Sequence, residues 1–346
     1  MMRVLILFLM LLLTACQTAP TPTAAPAIGL APSAAMVPTA TSASPAVTPT
    51  ATAVPPTATA IPPTVAPPSP TSLGWPRTLT DGLGRSVTLL APPARIISYL
   101  PSNTETLFAI GAGDRIVGVD NFSDVPAAAK DLPKVGDLKP NLEVITALRP
   151  DLVIMMGRSP DLVTLLEPLR VPVLVLEYKD LSGTLDNFTL LGRATGTERE
   201  ASALAERVRG RIESVRLRTA NVTRPRVYYE VDGSDPARPY TVGPGSYIDE
   251  MVRIAGGINV MSDAPSAFPQ VSLEAIVAKA PQIIVVGFAS GDAAQAFRAR
   301  PGWAAVAAVQ RGDVRVIDGV RLSRPGPRVA EALEQLADVL HGPGKA

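Results

Sequence analysis

Two acids stand out by their placement. Asn141-Leu142-Glu143-Val144-Ile145-Thr146-Ala147-Leu148-Arg149-Pro150, followed by Asp151-Leu152-Val153-Ile154, is matched 131 positions later by Ser272-Leu273-Glu274-Ala275-Ile276-Val277-Ala278-Lys279-Ala280-Pro281 and Gln282-Ile283-Ile284-Val285. Glu143 and Glu274 each follow a capping residue, Asn141 or Ser272, by two positions, where the start of a helix stabilises a carboxylate by about 0.3–1 kcal/mol. Helix electrostatics explains each acid separately. It does not explain their equivalent places in a repeat, which set two negative charges on one surface, suited to two basic sockets of a two-subunit partner. Other chemistry is sparse. The one histidine, His341, falls in a C-terminal tail expected to be frayed, which speaks against a His-based triad or a His-rich zinc or manganese site. Gly111-Ala112-Gly113 and Gly243-Pro244-Gly245 lack the third glycine of a dinucleotide fingerprint, and no Gly-Lys-Ser/Thr phosphate loop occurs, so both read as turns. Carboxylate-only hydrolysis stays open, although no acid pair is singled out for it. No catalytic residue, metal centre or cofactor is expected.

Cys16 is the remaining reactive candidate. Residues 1–15 read as a signal peptide, with Arg3 ahead of the apolar run Val4 to Leu13. That run is shorter than the roughly 20 residues needed to cross a hydrocarbon layer, which makes a permanent transmembrane helix the weaker reading. Leu13-Thr14-Ala15-Cys16 resembles a bacterial lipobox, cleaved before a lipidated Cys16. An incidental cysteine beside an ordinary cleavage site is the alternative. Lipidation explains both place and solitude, because a thioether-linked cysteine needs no disulfide partner in an oxidising compartment. Residues 16–74 read as a disordered tether: no charge occurs from Gln17 to Pro76, and 14 prolines lie between Gln17 and Gly74. Such a segment has too few large apolar side chains to offset the entropy of ordering, and it reaches from about 40 Å as a coil to about 180 Å extended. The chain's 32 basic and 31 acidic residues leave a formal charge of +1, no footprint for nucleic acid.

Strands alternating with helices must position these residues. Thr80 to Leu89 predicts a turn and a short alternating strand, a hairpin opening the folded part. Strand Arg95 to Tyr99 leads to a helix opened by Pro101-Ser102-Asn103-Thr104-Glu105, with Ser102 and Glu105 spaced as a capping box. Strand Ile116 to Val119, helix Leu142 to Leu148, strand Leu152 to Met156, helix Pro160 to Leu169 and strand Val173 to Leu176 follow. A helical stretch interrupted near Thr195-Gly196-Thr197 continues with Ala201, Leu204, Ala205, Val208, Ile212 and Val215 on one face. Its other face, Glu198, Arg199, Glu200, Glu206, Arg207, Arg209 and Arg211, reads as solvated. The pattern then repeats. An α/β fold of two Rossmann-like lobes joined by a single long interlobe helix is expected: residues 75–180 as the N-terminal lobe, 181–220 as the interlobe segment and 221–346 as the C-terminal lobe. Two such lobes create a cleft at the carboxyl ends of their strands.

Short motifs stand in a telling order: Arg95-Ile96-Ile97-Ser98 leading to Pro101-Ser102-Asn103-Thr104-Glu105; Gly118-Val119-Asp120 ahead of Ser123-Asp124-Val125-Pro126; Asn141-Leu142-Glu143; Pro150-Asp151-Leu152-Val153; Ile254-Ala255-Gly256-Gly257-Ile258-Asn259; Pro269-Gln270-Val271-Ser272-Leu273-Glu274; and Arg324-Pro325-Gly326-Pro327-Arg328. The set, over residues 77–340, resembles the metal-chelate branch of the ABC solute-binding proteins, the cobalamin, ferric-siderophore and haem receptors. The resemblance implies a class III periplasmic-binding-protein fold with little closure on binding. It implies that Glu143 and Glu274 dock onto arginines of an ABC permease dimer coupled to its ATPase. It places Tyr99, Leu100, Pro101 and Ser102 on the first cleft loop, Phe122, Leu138 and Met156 on later N-lobe loops, and Tyr240, Phe268 and Arg324 opposite. Apolar and aromatic groups with a cation suit a large planar chelate rimmed by amides or carboxylates, while a core place for each aromatic and a surface salt bridge for Arg324 are the alternatives. Phe268-Pro269-Gln270-Val271-Ser272 and the Ser102-Asn103-Thr104-Glu105 helix start look closest to cobalamin receptors. Because Leu138, Met156 and Phe268 replace tryptophans often used there, a ferric siderophore is the alternative ligand, and haem, with Tyr or Met as axial ligand, the third. The implied protein is an extracytoplasmic, lipid-anchored monomer that binds a small-molecule chelate and is not an enzyme. An extracytoplasmic hydrolase and a ligand-sensing module are the other classes.

Overall fold

The computed structural model describes residues 74–343, apart from 138, 158–159 and 288–291. Cys16, the leader, the tether up to residue 73 and Leu138 lie outside the described residues. The folded part opens with an antiparallel hairpin, β1 (Arg77–Thr80) and β2 (Ser86–Leu89). Asp81 forms its turn by accepting from the amides of Leu83 and Arg85 at 3.0 and 2.9 Å. The first αβ series is β3 (Ile96–Tyr99), α1 (Pro101–Ala109), β4 (Ile116–Val119), α2 (Leu142–Leu148), β5 (Leu152–Met156), α3 (Pro160–Leu166) and β6 (Val173–Leu176). Its strands run parallel in the order β4-β3-β5-β6. Nearly continuous apolar runs such as Leu152-Val153-Ile154-Met155 are buried throughout, as a parallel sheet covered on both faces requires.

Two helices follow, α4 (Leu181–Thr195) and α5 (Glu198–Arg218). Gly196 ends α4 at φ 74°, a left-handed cap that suits glycine. A side chain at Gly192 would run into the Cβ of Ala201, so the two helices touch where α4 has no side chain. The long interlobe helix of the sequence reading is α5, broken from α4 at Thr195-Gly196-Thr197. Its polar face corrects one expectation. Arg211 pairs with Glu331 and Glu334 at 3.2 and 2.7 Å, and Arg218 with Asp338 at 3.1 Å, so part of the face expected to be solvated is a seam against the last helix.

The second series comprises β7 (Arg226–Asp232), β8 (Tyr240–Thr241), α6 (Tyr247–Ile254), β9 (Ile258–Asn259), α7 (Leu273–Lys279), β10 (Ile283–Val286), α8 (Ala293–Ala299), α9 (Ala307–Arg311), β11 (Val314–Val316), α10 (Gly319–Leu322) and α11 (Val329–His341). Its parallel strands repeat the first order as β9-β7-β10-β11, with β8 antiparallel beside the end of β7. The fold is thus two separate sheets of one winding. A second correction concerns His341, which closes α11 rather than fraying: its Nε2 lies 2.9 Å from the carbonyl oxygen of Ala255.

The sequence repeat extends to individual hydrogen bonds. The Asn141 and Ser272 side chains accept from the Val144 and Ala275 amides, both at 3.2 Å. Asp151 accepts from the Arg95 amide at 2.8 Å, and Gln282 from the Arg226 amide at 2.8 Å. The Arg95 guanidinium donates to the Leu148 carbonyl at 2.7 Å and that of Arg226 to the Lys279 carbonyl at 2.5 Å, each satisfying an orphan acceptor at a helix end. Arg149 and Ala280 close α2 and α7 with the same left-handed geometry, φ 44° and ψ 59°.

One apolar cluster runs through both lobes, joining Ile96, Leu152 and Leu174 of the first sheet to Val227, Ile283 and Val285 of the second through Phe188, Leu191, Leu204, Met251 and Leu333. Smaller clusters around Val153 and Val175, and around Ile284 and Trp303, fill the outer faces of the two sheets. Because a left-handed conformation costs a non-glycine residue roughly 1–2 kcal/mol, Ala280→Gly is expected to raise the unfolding free energy by about 0.5–1 kcal/mol after the added flexibility of the unfolded chain is subtracted. Urea midpoints of the two proteins check this; an unchanged or lower midpoint would contradict it.

Candidate functional site

The candidate site lies where loops from the carboxyl ends of the two sheets meet. β3 ends at Tyr99 and passes through the extended Leu100 into α1, whose first residue is Pro101. The expected Ser102–Glu105 capping box does not form: Leu100 is the N-cap, no side chain caps the helix, and Ser102 to Thr106 are buried. Proline at the first helical position needs no partner for an amide hydrogen it lacks. Glu105 is engaged elsewhere. Its carboxylate accepts a two-pronged fork from Arg328, Nε to Oε2 at 2.8 Å and Nη2 to Oε1 at 2.7 Å, and a third contact from Arg324 Nη1 at 3.3 Å. Both arginines belong to the Arg324-Pro325-Gly326-Pro327-Arg328 loop that follows α10 in the second lobe. Gly326 faces Ser102 at close range: a Cβ there would stand 3.4 Å from the Ser102 Cα, in ordinary van der Waals contact.

Arg324 also grips the loop after β4, donating to the Asp124 carboxylate at 2.6 Å and the Phe122 carbonyl at 3.1 Å. A buried acid organises that loop from beneath. Asp120 accepts from the Phe122 amide at 2.8 Å and from the Ser123 hydroxyl at 2.5 Å. Ser123, Thr104 and Ser98 continue as a buried chain of hydroxyls spaced 2.8 Å apart. Burial pushes the Asp120 carboxyl up; its bonds to Ser123 and Phe122 and the charges of Lys134 and Arg324 pull it back. Lys134 donates to the carbonyls of Ser123 and Ala129 at 3.0 and 3.1 Å. A further bond ties the start of α4 to α6, the Leu181 amide donating to Glu250 at 2.8 Å.

In the second lobe Glu230, at the position in β7 that Tyr99 holds in β3, is buried and paired with Arg300 at 2.6 and 2.9 Å. Burial raises its carboxyl and Arg300 opposes the rise. Arg300 lies 3.8 Å over the Phe297 ring and 5.2 Å from that of Trp303. Trp303 is wholly buried with its indole N–H bound to the Pro236 carbonyl at 2.8 Å, so it belongs to the core.

Of the residues expected to line the cleft, Tyr99, Leu100, Pro101, Phe122, Met156, Tyr240, Phe268 and Arg324 are half-buried and Ser102 is buried. Leu100, Met156, Tyr240 and Phe268 rest on the shared apolar cluster, Tyr99 on the outer cluster of the first lobe. The Tyr99 hydroxyl is buried without a hydrogen-bond partner among the described residues, and burial first, then the charges of Asp137 and Asp120, push its ionisation up. The structure brings Ser102, Phe122 and Arg324 together, while Leu138 lies outside the described residues. Sequence reasoning missed Glu105 as an ion-pair centre, Asp120, Asp124 and Arg328; the paired arginines of the Arg-Pro-Gly-Pro-Arg loop were the available signal. Glu143 and Glu274 are exposed near the starts of α2 and α7, and the amide at its own position, then Ser272, hold the Glu274 carboxyl below its ordinary range. Among the described residues no group of three His, Cys, Asp or Glu side chains is placed to hold a metal, and no helix is long and apolar enough to cross a membrane.

Residues 96–320 match the periplasmic binding protein family, and the chain belongs to it. It is 30% identical over 275 residues to an uncharacterised ABC transporter substrate-binding lipoprotein of Bacillus subtilis, covering 77% of this chain and 86% of that protein. The crystal structure of the periplasmic vitamin B12-binding protein of Vibrio cholerae superposes with a TM-score of 0.63 at 30% identity, over 72% of this chain and 97% of that one. The apo form of a periplasmic haem-binding protein from Roseiflexus gives 0.64 at 28% identity, over 71% and 97%.

Glu105→Gln leaves two half-buried guanidinium groups without their shared anion and is expected to cost about 3 kcal/mol of stability, read as a lowered urea midpoint; a loss under about 1 kcal/mol would deny the cluster its structural role. Asp120 carries the opposite pH signature from a surface-paired acid. Its raised folded-state value means the native protein binds more protons than the unfolded chain above about pH 4, so its contribution is present at lower pH and is lost as pH rises through the folded value. Asp120→Asn is therefore expected to flatten the fall of stability as pH rises above about 4. Parallel pH profiles for the two proteins would count against this assignment.

Proposed function

We propose that this protein is the receptor of an ABC importer, holding a metal chelate between its lobes and passing it unaltered to a permease dimer coupled to its ATPase. Cobalamin is the favoured cargo, with a ferric siderophore or haem as the alternative. The observation that carries the reading is the pair Glu143 and Glu274: exposed, capped by Asn141 and Ser272, and equivalent in two lobes of the same winding. Matched acids on a two-lobed body suit a partner with two basic sockets, and a core continuous through both lobes supports a reading in which their spacing changes little on binding. The half-buried Tyr99, Leu100, Phe122, Met156, Tyr240 and Phe268 offer the apolar and aromatic surface that a large planar ligand buries. The vitamin B12-binding and haem-binding relatives supply the ligand classes. Lipidation at Cys16 would tether the monomer to the outer face of the cell membrane.

Reversing both acids, Glu143→Arg with Glu274→Arg, is expected to abolish cellular uptake while the purified protein's Kd for its chelate stays within about twofold; undiminished uptake would remove the docking role. Titration with cyanocobalamin, a ferric trihydroxamate and haem, followed by recovery of each probe, is expected to return it chemically unchanged, and any turnover would point to an enzyme instead. Cys16→Ser is expected to lose palmitate label and move the protein from the membrane to the soluble fraction. Retention of label would assign lipid to another site.

A further inference from the structure

Arg324 is the cation that this loop architecture offers to a ligand, yet N-lobe acceptors already occupy it. Its side chain is 13% exposed, with Glu105, Asp124 and the Phe122 carbonyl all on its terminal nitrogens. These partners differ in how firmly they are held. Glu105 is buried and locked by the fork from Arg328. Asp124 is 50% exposed, and its one ion pair among the described residues is with Arg324 at 2.6 Å. It is the more exposed of the two acids on the guanidinium, and so the one an incoming ligand would compete with.

We infer that Asp124 sets the charge of the ligand this site accepts: by neutralising the open side of Arg324, it admits a chelate with an uncharged, amide- or hydroxamate-type rim and rejects one whose rim carries carboxylates. The inference rests on the metal-chelate reading above. A ligand carboxylate at Arg324 would compete with Asp124 for it and would lie beside that acid, with the buried Asp120 holding the same loop. Arg324 itself already carries two acids, Asp124 and the Glu105 it shares with Arg328, so an incoming anion meets a cation that is already paired. A primary amide suits both partners at once, its N–H donating to Asp124 and its carbonyl accepting from Arg324. Removing the charge of Asp124 leaves one uncompensated cation at the mouth of the site.

The test uses the full folded chain and its Asp124→Asn variant against four probes: cyanocobalamin and a ferric trihydroxamate with uncharged rims, haem and ferric citrate with carboxylate rims. The unaltered protein is expected to bind one uncharged probe at least tenfold more tightly than either carboxylate probe, and Asp124→Asn to shift that ratio at least tenfold toward the carboxylate probes. Adding Arg324→Gln to Asp124→Asn is expected to erase the shift; a shift that survives would mean that the first change had merely loosened the loop, and would overturn the inference. A carboxylate probe preferred by the unaltered protein, or an unchanged ratio in Asp124→Asn with an uncharged probe still bound, sinks the inference alone. Failure of all four probes to bind either protein sinks the chelate reading, and the inference with it.

Discussion

Glu105 held between Arg324 and Arg328 is the contact on which the arrangement of the site depends. A carboxylate buried to this degree is tolerated only if its charge is met at close range and its oxygens are fully used. The Arg328 fork and the Arg324 contact meet both conditions, and they join the first helix of one lobe to the last loop of the other. Proline on either side of Gly326 restricts the backbone that presents the two guanidinium groups, and Gly326 packs this loop beside Ser102. The ion cluster thus sets where Phe122 and Asp124 stand relative to the second lobe.

The rest of the molecule makes that geometry durable. Each parallel sheet has its own outer apolar layer, but the inner layers merge around α4, α5, α6 and α11. The seam from Arg211 and Arg218 to Glu331, Glu334 and Asp338 borders this shared layer. Surface pairs of this kind add little individually; their geometric role is to hold α11, and with it the Arg324 to Arg328 loop that precedes it, against α5.

Much of this was legible in the order of residues because the informative signals are local. Runs such as Leu152 to Met156 and Val173 to Leu176 can only be buried strands, and Asn141 and Ser272 announce helix starts by side-chain chemistry that acts within three residues. Local logic also misled. The spacing of Ser102 and Glu105 imitates a capping box, but Pro101 starts the helix two residues earlier and the acid faces a partner more than two hundred positions away. His341 looked frayed because its partner, the Ala255 carbonyl, is also remote in sequence, 86 positions away. Arg324 read as a ligand-facing cation, with a surface salt bridge as the alternative, since nothing near it in the chain announces Glu105 or Asp124.

The unbroken inner apolar layer has a thermodynamic corollary. Two lobes with private cores joined by a flexible hinge would melt separately, each at its own temperature. Here, prising the sheets apart would strip water-excluding surface from Ile96 and Val227 alike, so neither lobe retains a complete interior once the other is lost. Heat or denaturant that opens either half therefore also exposes apolar surface of the other.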